Sequence, residues 1–200
     1  MIKLYGITAS RAFRSLWALE EVGTEYELIP TSFAGDSKKP DYLAINPNGR
    51  IPALVDGDVT LFESMAINLY LAKKYDGGLQ PKGLDDEARA IQWSFWAMTE
   101  VEPPLMKVLM NRAFLPEDQR VPAEAEAGAQ GMQAPLGVLD RVLADRPFLL
   151  GDTFSIADLN VASVLSVAAF CKFDYSTFTN VKRWADACMS RPALARAQGR

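Results

Sequence analysis

The sequence predicts a mixed α/β segment over residues 1–76, a linker over 77–84 and an all-helical segment over 85–200. Three observations carry this. The first 76 residues alternate short apolar runs with helix-period patterns, Gly77, Gly78, Pro81 and Gly83 cluster behind them, and helical character dominates from there on.

In order, Ile2 to Ile7 reads as a strand. Ser10 to Val22 reads as a helix with Phe13, Leu16, Trp17 and Leu19 on its inner face and Gly23 as its stop. Tyr26 to Pro30 is a second strand, and a short helix is expected around Asp41 to Ala44. Asn46 to Gly49 supplies turn formers, after which Ile51, Ala53, Leu54 and Val55 suit a buried strand. Proline cannot donate to a ladder, so Pro52 belongs at the start of that strand, on an edge or in an unusual turn. Only about one X-Pro bond in twenty is cis in folded proteins, so the residues alone favour a trans bond here. Asp56-Gly57 suits a tight hairpin turn, with Val59 to Leu61 returning. A helix from Ser64 to Tyr75 ends the segment, with Ser64 as its N-cap.

Beyond the linker, Leu84 to Asn111 is helical, and Pro103 and Pro104 must kink or interrupt it. Pro116 to Pro122 reads as a loop. Ala123 to Gln133 reads as an exposed helix continuing past a kink at Pro135, with Leu136, Leu139, Val142 and Leu143 on one face. In the run Phe154 to Leu159, Ser155 and Asp158 form a capping box and Phe154 can staple onto Leu159, which makes Asp158 a stability residue.

Composition narrows the function. With 49% hydrophobic residues in 200, a core burying roughly 70% of the unfolded surface is feasible. The net charge of −4 is spread evenly, since residues 1–80 carry 8 basic and 10 acidic side chains and residues 81–200 carry 13 and 15. No basic arm is left for nucleic acid. No apolar run reaches membrane-spanning length and Met1 leads directly into a strand, so a cytoplasmic protein without membrane partners is expected. Histidine is absent, which removes Ser-His and Cys-His catalysis and imidazole metal sites. Cys171 and Cys188 lack metal-ligand spacing and read as buried or half-buried helical residues, so no metal is expected.

The corner at Glu63 and Ser64 carries the first functional signal. Free N–H groups and the positive end of the following helix suit a ligand carboxylate, and Glu63 suits a ligand ammonium. Both charges side by side fit an amino acid. The alternative for Ser64 is capping alone.

The stretch NPNGRIPAL, followed by LFESMAI, resembles the glutathione-binding half of the cytosolic glutathione transferases, in particular their serine-type, bacterial-like members. The resemblance implies a thioredoxin-like N-terminal domain (βαβ then ββα), an all-helical C-terminal domain, and a homodimer acting in detoxification. It implies a cis bond before Pro52, backbone groups of Ile51 pairing with the cysteinyl part of glutathione, and Glu63 with Ser64 on its γ-glutamyl end. Lys38 or Lys39 would meet the glycine carboxylate, with two solvated lysines as the alternative. Arg50 stands where relatives often have glutamine or lysine, and it is a further carboxylate candidate.

Catalysis in such a family means activating a thiol. A free thiol has a pKa of about 8.5, and lowering it by two units needs about 2.7 kcal/mol. A hydroxyl hydrogen bond to a charged acceptor supplies about 1.5–3 kcal/mol and a helix N-terminus about 0.3–1 kcal/mol. By resemblance Ser10 is that hydroxyl, with Thr8 in reserve and Arg11 adding positive charge; the alternative for Ser10 is an N-cap. The loop reads TASRAFR without cysteine, which argues against mixed-disulfide chemistry, and it lacks the Ser-Ser-Cys run of the maleylacetoacetate isomerase class. For the electrophile, the resemblance points to an apolar pocket with Phe13, Trp93, Trp96 and Leu105 as candidate walls. The competing readings are a non-catalytic binding or regulatory protein of the same fold, and an isomerase or peroxidase using the same thiolate.

Overall fold

The computed structural model describes residues 1–200, which form two compact units: residues 1–80 with 191–200, and residues 81–190. The first contains β1 (Ile2–Gly6), α1 (Ala12–Val22), β2 (Tyr26–Pro30), a 3-10 turn (Asp36–Lys38), α2 (Pro40–Leu43), β3 (Ala53–Asp56), β4 (Val59–Phe62) and α3 (Ser64–Tyr75). The strands form one mixed sheet in the order β2-β1-β3-β4. β1 and β2 run parallel, which needs the crossover that α1 provides, while β3 is antiparallel to both β1 and β4. This is the thioredoxin-like arrangement. Ile2 and Leu4 of β1 are buried, α1 buries Leu16, Trp17 and Leu19, and α1 packs against α3, which buries Ile67 and Leu71.

Several features of this unit differ from the sequence reading. β1 stops at Gly6, and α1 begins two residues after Ser10, whose side chain and carbonyl close the turn before the helix. Gly23 ends α1 as expected, at φ 67° with its N–H on the Leu19 carbonyl. The Ile51-Pro52 bond is cis, against the statistical preference and in line with the resemblance. The hairpin loop is Gly57-Asp58, one residue later than expected, with Asp56 paired opposite Val59. Asp56 stays in the strand because its carboxylate accepts hydrogen bonds from Tyr70 (2.9 Å), Lys74 (2.7 Å) and Tyr75 (2.6 Å) of α3.

The second unit is helical: α4 (Gly83–Trp96), a π turn (Ala97–Val101), α5 (Glu102–Leu109), a second π turn (Met110–Phe114), α6 (Pro122–Gly131), α7 (Gln133–Val142), α8 (Ile156–Leu165) and α9 (Thr179–Met189), with 3-10 turns at Glu117–Gln119 and Ser166–Ala169. The interruption expected from Pro103 and Pro104 takes the form of the first π turn, so that both prolines fall in the opening turn of α5, where their missing N–H groups cost little. The break between α6 and α7 is at Met132, not Pro135, for the same reason: Pro135 sits in the first turn of α7. Asp158, fully buried, completes the capping box of α8 and accepts from the Ser155 N–H at 3.0 Å, the Leu149 N–H at 2.8 Å and Trp184 Nε1 at 2.9 Å. Both cysteines are buried thiols, Cys188 on α9 and Cys171 in a turn instead of a helix.

The chain closes with α10 (Pro192–Gln198), which packs on α1 and so belongs to the first unit, although the sequence groups it with the helical segment. No helix is long and apolar enough to cross a membrane.

Candidate active site

The register of the sheet brings the functional segments together. Tyr5 pairs with Ala53, Ala53 pairs with Phe62, and Gly6 pairs with Pro30. The loop after β1 with Ser10, the segment after β2 with Lys38 and Lys39, the Ile51-Pro52 bond before β3 and the Glu63-Ser64 corner after β4 therefore leave the same end of the sheet. Ile7 in the Ser10 loop packs against the cluster of Tyr42, Ile51 and Ala53, which fixes that loop to the proline turn. Gly6 makes the approach possible, because a Cβ there would sit 2.4 Å from the Ala12 Cβ.

Ser10 Oγ donates to the Ile7 carbonyl at 2.6 Å and accepts the Ala12 N–H at 3.1 Å. Its Oγ thus stands in the first turn before α1, in a half-buried position beside exposed Arg11. Thr8, the reserve candidate, donates to the main-chain oxygen of Arg200 at 2.9 Å.

The proline turn is held by groups that sequence reasoning missed. Tyr42 Oη and Asn46 Nδ2 both donate to the Arg50 carbonyl, at 2.6 and 2.7 Å, while Asn46 Oδ1 takes the Asn48 N–H. Burial pushes the Tyr42 phenol up to about 12, so it remains a donor throughout the physiological range. The signal for Asn46 lay in its place at the head of a turn; Tyr42 gave none. The Arg50 side chain is exposed.

Lys38 and Lys39 are set apart by their partners. Lys38 Nζ reaches across to the Gly49 carbonyl at 2.6 Å, on the proline turn itself. Gly49 has φ 58°, and a Cβ there would lie 3.0 Å from Lys38 Nζ and 2.9 Å from the Ser37 carbonyl, so glycine keeps this contact open. Lys39 Nζ instead pairs with Asp36 at 2.6 Å, which raises the lysine pKa and lowers that of the aspartate.

At the third segment Glu63, exposed, has φ 70° and ψ 113°, a conformation that L side chains rarely adopt. Ser64 is the first residue of α3 and not its flanking cap, which corrects the capping expectation. The helix start has no side-chain cap, and its first intrahelical bond runs from the Ile67 N–H to the Glu63 carbonyl. The earlier N–H groups of the turn remain available to an anion.

The candidate pocket residues are distributed between the units. Phe13 is half-buried on α1; Trp93 and Trp96 on α4 stack edge to face at 5.0 Å. Leu105, 1% exposed on α5, is core and not an accessible wall.

Known proteins share this fold. Residues 1–73 match the sequence profile of the glutathione S-transferase N-terminal domain and residues 101–192 that of the C-terminal domain. Glutathione S-transferase 1 of Zea mays is 35% identical over 209 residues, covering 96% of this chain and 94% of its own length. The theta class glutathione S-transferase of Xanthomonas axonopodis pv. citri, solved with glutathione bound, superposes with a TM-score of 0.92 at 29% identity, over 98% of this chain and 96% of that one. Glutathione S-transferase-I bound with lactoylglutathione gives a TM-score of 0.89 at 31% identity, over 99% and 98%. With both halves matched in order and a curated relative aligned over nearly its whole length, the chain is an enzyme of the glutathione S-transferase family.

Proposed function

We propose that this enzyme binds glutathione at the sheet end described above, ionises its thiol, and delivers the thiolate to a small hydrophobic electrophile. The observation that carries the reading is the Glu63-Ser64 corner. A strained non-glycine residue is retained at φ 70° directly before an uncapped helix start, and such strain concentrates at ligand sites. In this reading the N-terminal turn of α3 and Ser64 take the γ-glutamyl carboxylate, Glu63 takes its ammonium, and the Ile51 backbone pairs with the cysteinyl unit. Lys38, already tied to the proline turn, meets the glycine carboxylate in preference to Lys39, whose charge is engaged by Asp36.

Ser10 then faces the thiol. Its donated bond plus the start of α1 supply most of the roughly 2.7 kcal/mol that a two-unit pKa shift requires. Positioning of the two reactants does the rest. The glutathione-bound and lactoylglutathione-bound relatives support the ligand class. A homodimer is part of the proposal, supported by the apolar stripe Leu84, Ile91 and Phe95 that α4 leaves exposed. A cytoplasmic location follows the same family reading.

One observation favours a second reading. The Ser10 proton points at the Ile7 carbonyl, as it would in a protein that binds glutathione without activating it. Ultraviolet absorbance of the thiolate, titrated on bound glutathione from about pH 5 to 9, separates the two. Ionisation well below the free value supports the transferase, an unshifted value supports a binder, and no binding sinks both.

A further inference from the structure

Glu20 and Glu21 are adjacent on α1, with side chains only 7% and 6% exposed, where an unpaired carboxylate would be costly. The decapeptide Arg191–Arg200 supplies their partners. Arg191 grips Glu21 with two bonds, Nε to Oε1 at 2.6 Å and Nη2 to Oε2 at 2.8 Å, and Trp17 Nε1 adds a third at 3.0 Å. Arg196 donates to the Glu20 carboxylate at 2.9 Å and to its backbone carbonyl at 2.8 Å. Arg200 Nε reaches Glu20 Oε1 at 2.8 Å, Tyr26 donates to the same oxygen at 2.7 Å, and the Arg200 guanidinium lies 5.3 Å from the centre of the Tyr26 ring.

The far side of Arg200 meets the catalytic loop. Its main-chain oxygen accepts the Thr8 hydroxyl at 2.9 Å, two residues before Ser10. Between Gly6 and Ala12 the loop is also held by Ile7 packing and by the internal Ser10 bonds, and the Thr8 bond ties it to a segment distant in sequence. The final ten residues therefore run beside α1 from its last turn back to the loop at its start.

We propose that residues 191–200 act as a strap that sets the geometry of the thiol-activating loop, with Glu20, Arg200 and Thr8 as positioning residues. Glu20 fixes Arg200, Arg200 fixes Thr8, and Thr8 fixes the loop in which Ser10 must offer its proton. The inference rests on the Ser10 reading above.

The test is the pKa of glutathione bound to the full chain, read by thiolate absorbance together with kcat and KM, for wild type, Ser10→Ala, Thr8→Val, Thr8→Ser and Arg200→Ala. Arg200 is half-exposed, so its variant keeps the fold available if Thr8→Val does not. The expected result is a bound-thiol pKa raised by about one to two units with kcat down about ten- to a hundredfold in Ser10→Ala, and a shift in the same direction of about one unit and tenfold in Thr8→Val and Arg200→Ala. KM for glutathione stays within about twofold, a pattern of lost transition-state interaction. Thr8→Ser, which keeps the donor, returns the wild-type values. If Ser10→Ala moves the pKa but Thr8→Val and Arg200→Ala lower only the melting temperature, the strap is merely structural and the proposal is overturned while the Ser10 reading stands. If Ser10→Ala leaves the pKa unmoved, the Ser10 reading fails and the strap falls with it.

Discussion

Ser10 Oγ lies 2.6 Å from the carbonyl oxygen of Ile7, and that bond holds its single proton inside the loop. To stabilise a thiolate the hydroxyl must rotate that proton outward while still accepting the Ala12 N–H. The exchange trades a neutral acceptor for a charged one, worth about 1.5–3 kcal/mol. Ser10→Ala should therefore lower kcat by about ten- to a hundredfold with little change in glutathione affinity. Stopped-flow or steady-state turnover with a generic electrophile checks this; an unchanged rate would remove Ser10 from the chemistry.

Ser64 gives the opposite signature. Because α3 has no side-chain cap, its hydroxyl contributes little to the helix, and Ser64→Ala should leave the melting temperature nearly unchanged. Glutathione affinity should fall by about tenfold, the loss of one good hydrogen bond to an anion. Calorimetric titration decides, and a large thermal shift with normal binding would return Ser64 to a structural role.

Asp158 should matter for folding only. Its removal leaves the Leu149 and Ser155 N–H groups and Trp184 Nε1 buried without an acceptor, each costing about 1–3 kcal/mol. Asp158→Ala is expected to lose about 3 kcal/mol or more in urea unfolding. The pKa of bound glutathione, measured well below the melting point, should match that of wild type; a shift would mean that Asp158 has a part beyond folding.

Asp56 makes a pH-dependent contribution. Burial raises its pKa, but hydrogen bonds from Lys74, Tyr75 and Tyr70 outweigh this and hold it below the usual carboxylate range. A folded-state value beneath the unfolded one, about 3.9, gives stability that is present above that pH and lost as pH falls through the folded value. Asp56→Asn should thus be less stable than wild type near neutrality, and the two should begin to converge near about pH 4 and meet only below the folded-state value. Denaturant midpoints across that interval test it, and a gap constant with pH would contradict the assignment.

What the sequence made legible was local. β2 and α3 begin and end where their periodicity says, Gly23 stops α1, and the Ser155-Asp158 spacing identifies the start of α8. What it hid depends on partners far along the chain. The hairpin turn shifted by one residue because Asp56 answers to Tyr70, Lys74 and Tyr75, and α10 joined the first unit because Arg191, Arg196 and Arg200 answer to Glu20 and Glu21. In the candidate site, the order of residues exposed the Glu63-Ser64 corner, whereas the difference between Lys38 and Lys39 arises from Gly49 and Asp36 and has no periodic signature.

The π turn at Ala97–Val101 places one residue more in its loop than an α-helix would. Each residue of α-helix turns the chain by about 100°, so the wide turn acts as a phase shifter between α4 and α5. Restoring regular α-helix through this turn without deleting a residue would rotate every side chain from Leu105 onward by about 100°. Leu105 and Val108 would leave the core, and polar neighbours such as Lys107 would enter it. The wide turn thus lets the chain carry one extra residue while Leu105 and Val108 of α5 stay on the core.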